Sequence, residues 1–299
     1  MNARENGPMP VAALLYAATF WGFVWYPARL LEQQGMVGTW QALLSYASAL
    51  LVLLLLRGVR LRGLSSQPWD VLWLVLASGW TNVAFLLAVI ADDVVRVLIL
   101  FYLSPLWTVL LGRWLLGELI RPVTAAMLLL GLGGALVMLW HEQMLSQPLG
   151  SGDLLALSSG LAFALTNVMT RRLGHLGTVV KTQLAWLGVV LVAGLWIVLA
   201  GVPLPDATAT AWGGAVALGL LGFMFSTLCV VYAVSRMPVQ RSSIIMLFEI
   251  VVGALSAWLL VGETVSLREW IGGGMIVSAG LVAVLYGSAR PLPQRENNV

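Results

Sequence analysis

Residues 94–118 read VVRVLILFYLSPLWTVLLGRWLLGE, and residues 239–263 read VQRSSIIMLFEIVVGALSAWLLVGE. At an offset of 145 residues the two stretches align, so that Arg96 falls on Arg241 and both stretches end on Gly-Glu. A long internal repeat in an almost entirely apolar chain is typical of membrane transporters built from duplicated halves. The repeat therefore predicts a membrane protein with internal symmetry.

The composition places most of the protein surface in lipid. Hydrophobic residues make up 60% of the 299 positions and charged residues only 10%, whereas soluble proteins carry about 25% charged residues because their surfaces must be hydrated. The net charge is +3, and the basic residues are scattered along the chain. This distribution predicts a lipid bilayer as a partner and no nucleic acid. Cys229 is the sole cysteine, which excludes an intramolecular disulfide and a multi-thiolate metal site.

The chain divides into ten candidate membrane-spanning helices. A span needs about 20 mainly apolar residues, and ten segments joined by short connections meet this requirement. The predicted segments are 10–31, 38–56, 71–90, 94–116, 122–140, 153–173, 178–200, 209–235, 239–261 and 267–286. The fold class is therefore predicted to be all-α and integral to the membrane.

Loop charge predicts the orientation of these spans. With the N-terminus in the cytoplasm, thirteen of the 16 basic residues lie at cytoplasmic ends, and only Arg29, Arg96 and Arg268 lie outside. Cytoplasmic loops of membrane proteins carry this excess of lysine and arginine. We therefore expect a multi-pass protein of the bacterial inner (plasma) membrane with both termini in the cytoplasm.

An odd number of helices in each repeat reverses the second half. Residues 1–147 are predicted to form the first five-helix repeat, and residues 148–299 the second, inverted one. Inverted repeats enclose a site near the bilayer midplane that rocking can expose to either side. We therefore expect two inverted five-helix repeats around a central cavity.

Several motifs resemble the ten-helix, EamA-type branch of the drug/metabolite transporter superfamily. The run Tyr102-Leu103-Ser104-Pro105-Leu106 before Gly117-Glu118 resembles that family's helix-4 pattern. Phe248-Glu249-Ile250-Val251 before Gly262-Glu263 is similar to its helix-9 pattern, in which Leu-Glu-Pro-Val is common. The segment 268–272, REWIG, is similar to the start of its helix 10.

The resemblance implies a fold and a class of activity. It implies ATP-independent export of small metabolites, amino acids or drugs, and the many tryptophans and tyrosines are similar to those of YddG-type exporters of aromatic amino acids. Ile250 stands where the helix-9 pattern has proline, so a kink in helix 9 is not required by the sequence.

Glu249 is the first candidate functional residue. It lies about ten residues into the ninth predicted span, flanked by apolar side chains, where an ionised carboxylate costs roughly 2.5–3.5 kcal/mol on insertion scales. It is either a partner for a substrate ammonium group or a proton carrier, or it is a structural glutamate bonded to a neighbouring helix. Pro105 in the fourth span frees the carbonyl of Phe101, which indicates either a hinge or a fixed bend.

Aromatic and amide side chains inside the spans are candidates for a substrate pocket. Aromatic walls with a few polar tips suit an amphipathic small molecule, although tryptophan and tyrosine also form belts at membrane interfaces. The candidates are Trp21, Trp25, Tyr46, Trp80, Asn82, Tyr102, Asn167 and Trp186.

The charged residues at helix ends admit two interpretations. Arg96 and Arg241 start equivalent helices and either guard the two mouths of the cavity, Arg96 with Asp92 and Asp93 as a gate, or extend to lipid headgroups. Glu118 and Glu263 end equivalent helices beside glycine, and capping explains them without a transport role.

Small residues predict close packing of the fifth and tenth spans. Gly131-x-x-x-Ala135 and Gly274-x-x-x-Ser278 allow helices to approach closely. Packing within the fold is the favoured use of both motifs and dimerisation is the alternative, and we expect a monomer rather than a dimer.

These observations together predict a secondary transporter that exports small organic solutes by alternating access. The alternatives are a polytopic membrane enzyme, a pore and, among transporters, a carrier of cationic drugs or other metabolites. The enzyme motifs H-E-x-x-H and G-x-S-x-G are absent, as is the Walker loop of ATP-driven pumps. No metal, no cofactor and no catalytic residue are predicted; the expected partner is a small-molecule substrate.

Overall fold

A computed structural model describes residues 8–58, 62–140, 148 and 150–288, and every regular element in these ranges is helical. The predicted boundary between the halves, 147–148, lies at the edge of the described ranges. Four basic residues used to predict the orientation lie outside them: Arg4, Arg60, Arg290 and Arg295.

Ten helices are long and apolar enough to cross a membrane, as predicted. Their ends agree with the predicted segments to within three residues. They are α1 (Pro8–Gln33), α2 (Gly38–Arg57), α3 (Pro68–Ala91), α4 (Val94–Leu115), α5 (Pro122–Leu139), α6 (Ser151–Arg172), α7 (Thr178–Leu199), α8 (Ala209–Val234), α9 (Val239–Val261) and α10 (Leu267–Tyr286).

The exterior of the bundle is apolar. Trp114 is 79% exposed, Leu55 77% and Val198 77%, and a water-soluble protein does not leave so many large apolar side chains uncovered in contiguous bands. These surfaces lie against lipid tails in a multi-pass membrane protein. The fold prediction, all-α with ten spans, is confirmed.

Equivalent helices of the two halves run antiparallel. The Val239 amide at the start of α9 donates to Glu118 Oε1, just beyond the end of α4, at 3.1 Å. The side-chain amide of Gln183, near the start of α7, donates to the backbone carbonyl of Gly58, just beyond the end of α2, at 3.1 Å. These contacts are those expected of inverted halves.

Helix packing follows a pattern that repeats every five helices. Helix α3 packs on α6 and α7, and its repeat counterpart α8 packs on α1 and α2. In the same way, α4 packs on α6, and its counterpart α9 packs on α1. Helices α5 and α10 pack mainly on each other, outside the group formed by α1–α4 and α6–α9.

The α5–α10 contact uses only part of the predicted small-residue motifs. A Cβ on Gly134 would meet the Gly272 carbonyl, and one on Gly131 would meet Leu247 and Ala279. Gly274 has open space beside it, and Ser278 is exposed with its hydroxyl bonded to its own helix. The motif Gly274-x-x-x-Ser278 therefore does not lie in the α5–α10 contact. The prediction that this motif brings the two helices together is corrected.

Two equivalent helices are broken near their middles. Helix α4 consists of Val94–Phe101 and Ser104–Leu115, separated by Tyr102 and Leu103. Helix α9 consists of Val239–Met246 and Phe248–Val261, separated by Leu247, which is the repeat counterpart of Tyr102.

The break in α9 forms without the proline that the family pattern places there. The backbone bond from the Leu247 amide to the Ile244 carbonyl (3.2 Å) spans three residues rather than four, as does that from Ile250 to Leu247 (3.1 Å). This tightened 3₁₀-type turn interrupts the α-helical ladder. Tertiary packing supports it, because the carbonyl of Glu249 lies against Gly22 of α1.

Two ends of the bundle are named by their residues. The basic end is where α1 and α9 begin and α4 ends, and it carries Arg113, Arg171 and Arg236. The far end is where α4 and α6 begin and α1 and α9 end.

Candidate functional site

The breaks in α4 and α9 bring Tyr102 and Glu249 together. Tyr102 occupies the interruption in α4, and Glu249 is the second residue of the second piece of α9. Their side chains lie close enough to interact, so the phenol can donate to the carboxylate. Tyr102 packs against an apolar cluster that includes Leu247 and Ile250, so the polar pair is set among apolar side chains.

This pair can engage a cationic group. A carboxylate within the span of a membrane helix must face a partner or water because hydrocarbon offers neither. Glu249 is partly exposed rather than fully enclosed, so one donor from Tyr102 does not use all of its acceptor capacity. The pair therefore provides an acceptor site for an ammonium group or for a proton.

Pro105 lies just after the break in α4 and not at its apex. It is buried at the second position of the Ser104–Leu115 piece, where its missing N–H costs little. The Phe101 carbonyl, which proline leaves without its usual helical donor, lies against Gly160 of α6. This carbonyl is therefore covered by helix packing in this structure.

Three predicted aromatic residues meet around one phenylalanine. The Trp21 ring stacks on Phe223 at a centroid distance of 5.2 Å, and the Tyr46 ring stacks on it at 4.9 Å. Trp186, only 1% exposed, belongs to the same buried cluster. Phe223 ends a π-helical turn in α8, Leu218–Phe223, and such turns frequently occur at functional sites.

The aromatic stack and the Tyr102–Glu249 pair are neighbours along α1. Trp21 precedes Gly22, and Gly22 lies against the carbonyl of Glu249. One turn further on, the Trp25 indole donates to the hydroxyl of Ser256 in α9 at 2.8 Å. Helix α1 thus carries Trp21, which packs on α8, and Trp25, which is bonded to α9.

The remaining predicted residues of α3 and α6 are held separately. The Trp80 indole donates to the Ser158 hydroxyl at 3.1 Å, and the Asn82 amide donates to the Ser78 carbonyl of its own helix at 3.0 Å. Asn167 is buried, 6% exposed. No hydrogen bond, ion pair or ring contact in the described ranges joins Trp80 or Asn82 to Glu249.

Arg96 and Arg241 both lie in buried positions at the starts of α4 and α9, and their role at a cavity mouth stays a prediction. The Arg96 guanidinium binds both carboxylate oxygens of Asp153, at 2.5 and 2.7 Å, while Asp93 instead caps the start of α4. The Arg241 guanidinium donates to the carbonyls of Ala283 and Val284 in α10. Both arginines are 7% exposed, because each finds acceptors inside the bundle.

Lys181 is a buried cation that the sequence did not single out. Its ammonium group donates to the Thr170 carbonyl at 2.9 Å and to the Ser235 hydroxyl at 2.5 Å, and the residue is 1% exposed. Arg171 donates to the Ser235 carbonyl at 2.7 Å. These contacts join α6, α7 and the end of α8 at the basic end.

A groove opens at the far end between α1 and α9. Its volume is about 360 Å³, and none of the predicted pocket residues lines it. Its lining residues are Tyr26, Arg29, Leu30, Gln33, Val261 and Glu263.

Sequence reasoning missed Phe223, Ser256 and Asp153 as partners of predicted residues. Each lies between 57 and 231 positions from its partner, so no local spacing links them. Charged residues are rare inside membrane spans, and this rarity was the one usable signal in the sequence. It applied to Asp153 and Lys181.

Comparison with known proteins agrees with this architecture. Residues 150–285 match the model of the EamA-like transporter family. The chain is 25% identical over 225 residues to an uncharacterized transporter of Archaeoglobus fulgidus, covering 75% of this chain and 79% of that protein. The earlier resemblance to EamA-type proteins is confirmed.

A solved crystal structure shares the fold. The match covers 93% of this chain and 98% of the chain in the solved structure, with a TM-score of 0.73 and 24% sequence identity. This likeness extends over both halves and concerns the fold alone.

Proposed function

We propose that this EamA-type transporter of the drug/metabolite superfamily exports small amphipathic solutes that carry an ammonium group. Aromatic and hydrophobic amino acids are the proposed substrates. Transport proceeds by alternating access, without ATP.

The position of Glu249 carries the proposal. It is a carboxylate at the point where two interrupted, repeat-related helices come together. Transporters place substrate sites at such interruptions near the middle of the membrane. A single carboxylate with a phenol beside it selects for a cation and against an anion of similar size.

The aromatic side chains supply a surface for the apolar part of the substrate. Trp21, Tyr46 and Phe223 form a stack next to the part of α1 that contacts Glu249. Rings of this kind hold aromatic groups by stacking and cations by the charge distribution of their faces. An amphipathic ammonium compound satisfies both features.

The basic end is proposed to face the cytoplasm of a bacterial cell. Arg57, Arg113, Arg171, Arg172 and Arg236 lie at this end, as the positive-inside tendency requires. Export then means that substrate enters from the basic end and leaves at the far end.

Counterflow in proteoliposomes tests the function. Vesicles loaded with unlabelled tryptophan or phenylalanine should accumulate the labelled amino acid through the wild-type protein. Glu249→Gln should reduce that counterflow roughly tenfold or more, because a charged hydrogen-bond partner is lost. Glu32→Gln is the matched control because Glu32 is exposed at the far end, and it should retain wild-type rates.

The same assay distinguishes the two roles of Glu249. A substrate partner is indicated if Glu249→Gln loses both counterflow and uptake driven by a pH gradient. A proton carrier is indicated if counterflow persists and only gradient-driven uptake is lost. Wild-type rates in both assays would contradict the proposal, and counterflow only with organic cations that lack a carboxylate would change the substrate class.

A further inference from the structure

The two ends of the broken helices differ although their sequences are related by the repeat. Every residue of the first piece of α9, Val239–Met246, is buried. In its repeat counterpart, Val94–Phe101 of α4, only Arg96 and Val97 are buried. The start of α9 is therefore enclosed at the basic end, whereas the start of α4 is only partly covered at the far end.

Contacts between α4 and α9 show the same difference. The pieces nearer the basic end, Ser104–Leu115 and Val239–Met246, pack against each other. The pieces nearer the far end, Val94–Phe101 and Phe248–Val261, share at most marginal contact. The two helices diverge from the level of Tyr102 and Glu249 toward the far end.

Glu118 joins the two halves where they are closed. Its Oε1 accepts the Val239 amide at 3.1 Å, so it caps α9 although it belongs to the other half. Its Oε2 is buried without a hydrogen-bond partner among the described residues. Gly112, whose added Cβ would meet Val239, keeps the end of α4 close to this contact.

Glu263, the repeat counterpart of Glu118, makes no equivalent contact with α4. It is exposed in the far-end groove, and the start of α4 is capped by Asp93. The same Gly-Glu ending is thus docked on the opposite half at one end only.

We propose that Glu118 is the latch that holds the basic end closed by capping α9. The inference rests on the proposed alternating-access function and adds a residue that sets which end is open. When the cap is lost, the first piece of α9 separates from the end of α4 and the basic end opens. Docking removes the Glu118 carboxylate from water, and the bond to the Val239 amide offsets part of that cost, so loss of this bond favours release.

Thiol labelling tests the latch without depending on any substrate. In a Cys229→Ser background, Ser243→Cys places a reporter at a buried position of α9, 5% exposed, near the basic end. We expect slow reaction with a water-soluble maleimide in the purified protein. Adding Glu118→Ala should speed labelling roughly 2- to 30-fold, the factor expected from the loss of one helix cap.

Two further variants define the control. Glu118→Gln keeps a neutral acceptor and should give an intermediate rate, and it provides the readout if Glu118→Ala does not elute as a folded, monodisperse protein. Glu263→Ala removes the undocked counterpart and should leave the rate unchanged. Equal rates in wild type and both Glu118 variants, or equal acceleration by Glu263→Ala, would overturn the latch.

Failure of the latch is distinguishable from failure of the proposed function. Accelerated labelling with no counterflow of any amino acid would support the latch and reject the substrate class. Unchanged labelling with Glu249-dependent counterflow would reject the latch and leave the substrate site standing.

Discussion

Two ionisable side chains inside the bundle, Glu249 and Arg96, are stabilised in different ways. The Arg96 guanidinium is paired with both oxygens of Asp153, so its charge is neutralised inside the bundle. Glu249 faces the Tyr102 phenol and is partly exposed. The first arrangement stabilises the fold between α4 and α6, and the second leaves acceptor capacity for a ligand.

The Arg96–Asp153 pair should matter for stability far more than an exposed pair. Asp153→Asn leaves a buried guanidinium without its counter-ion, and breaking a buried pair in this way costs about 3–5 kcal/mol. Asp70→Asn is the matched control, because Asp70 pairs with Arg172 at 2.8 Å in a more exposed position, where such pairs contribute about 0–1 kcal/mol. Thermal unfolding in detergent measures both, and equal losses would contradict the structural role of Arg96.

Tyr102 should orient the Glu249 carboxylate for substrate. Tyr102→Phe keeps the ring against Leu247 and Ile250 and removes the donor, so the half-saturating substrate concentration should rise by roughly tenfold, the value of one charge-assisted hydrogen bond. Tyr286→Phe, at an exposed tyrosine on α10, should leave it unchanged. Concentration-dependent counterflow gives the comparison, and an unchanged value in Tyr102→Phe would reject this role.

Single residues were predictable from sequence only where their own surroundings were informative. Glu249 stood out because a carboxylate inside an apolar span is rare. Phe223 did not, because one phenylalanine among many apolar residues carries no signal until Trp21 and Tyr46 are seen to stack on it. Contacts made across the bundle decide these positions.

At the scale of helices, the breaks in α4 and α9 differ in how far the sequence accounts for them. Pro105 signals an interruption of α4 locally. Helix α9 has Ile250 at the equivalent position and still breaks at Leu247. The contact of the Glu249 carbonyl with Gly22 lies outside the information carried by a local sequence window.

The cap on α9 should respond to pH. Burial raises the pKa of the Glu118 carboxyl, and the Val239 amide and the positive charge of Arg171 offset part of the rise. Docked Glu118 therefore binds a proton more tightly than undocked Glu118, so the docked state gains stability as pH falls from the raised pKa toward the ordinary carboxyl value.

Labelling of the introduced thiol checks the direction of this pH dependence. In Ser243→Cys protein, labelling at the basic end, corrected for thiolate content with a free thiol, should slow as pH falls through that window. Arg171 is the charged group that acts on Glu118, and Glu118→Gln should remove the dependence. A pH profile identical in wild type and Glu118→Gln would reject the titration of this group.

At the scale of the whole molecule, the sequence predicted the general plan and left the packing open. The repeat, the ten spans and the odd number of helices in each half predicted two inverted units, and the antiparallel contacts of α2 with α7 and of α4 with α9 agree with that plan. The pairing of α3 with α6, or of α5 with α10, was not predictable, because nearly every apolar face could have met another equally well.

Paired distances at the two ends of the bundle test alternating access most directly. Spin labels at Val94→Cys and Val261→Cys report the far end, and labels at Leu119→Cys and Tyr286→Cys report the basic end, all at exposed positions in a Cys229→Ser background. Double electron–electron resonance in nanodiscs should show the far-end distance shortening and the basic-end distance lengthening when substrate is supplied. Distances that stay fixed, or that change in the same direction at both ends, would contradict an account in which inverted halves expose the Glu249 site to one side at a time.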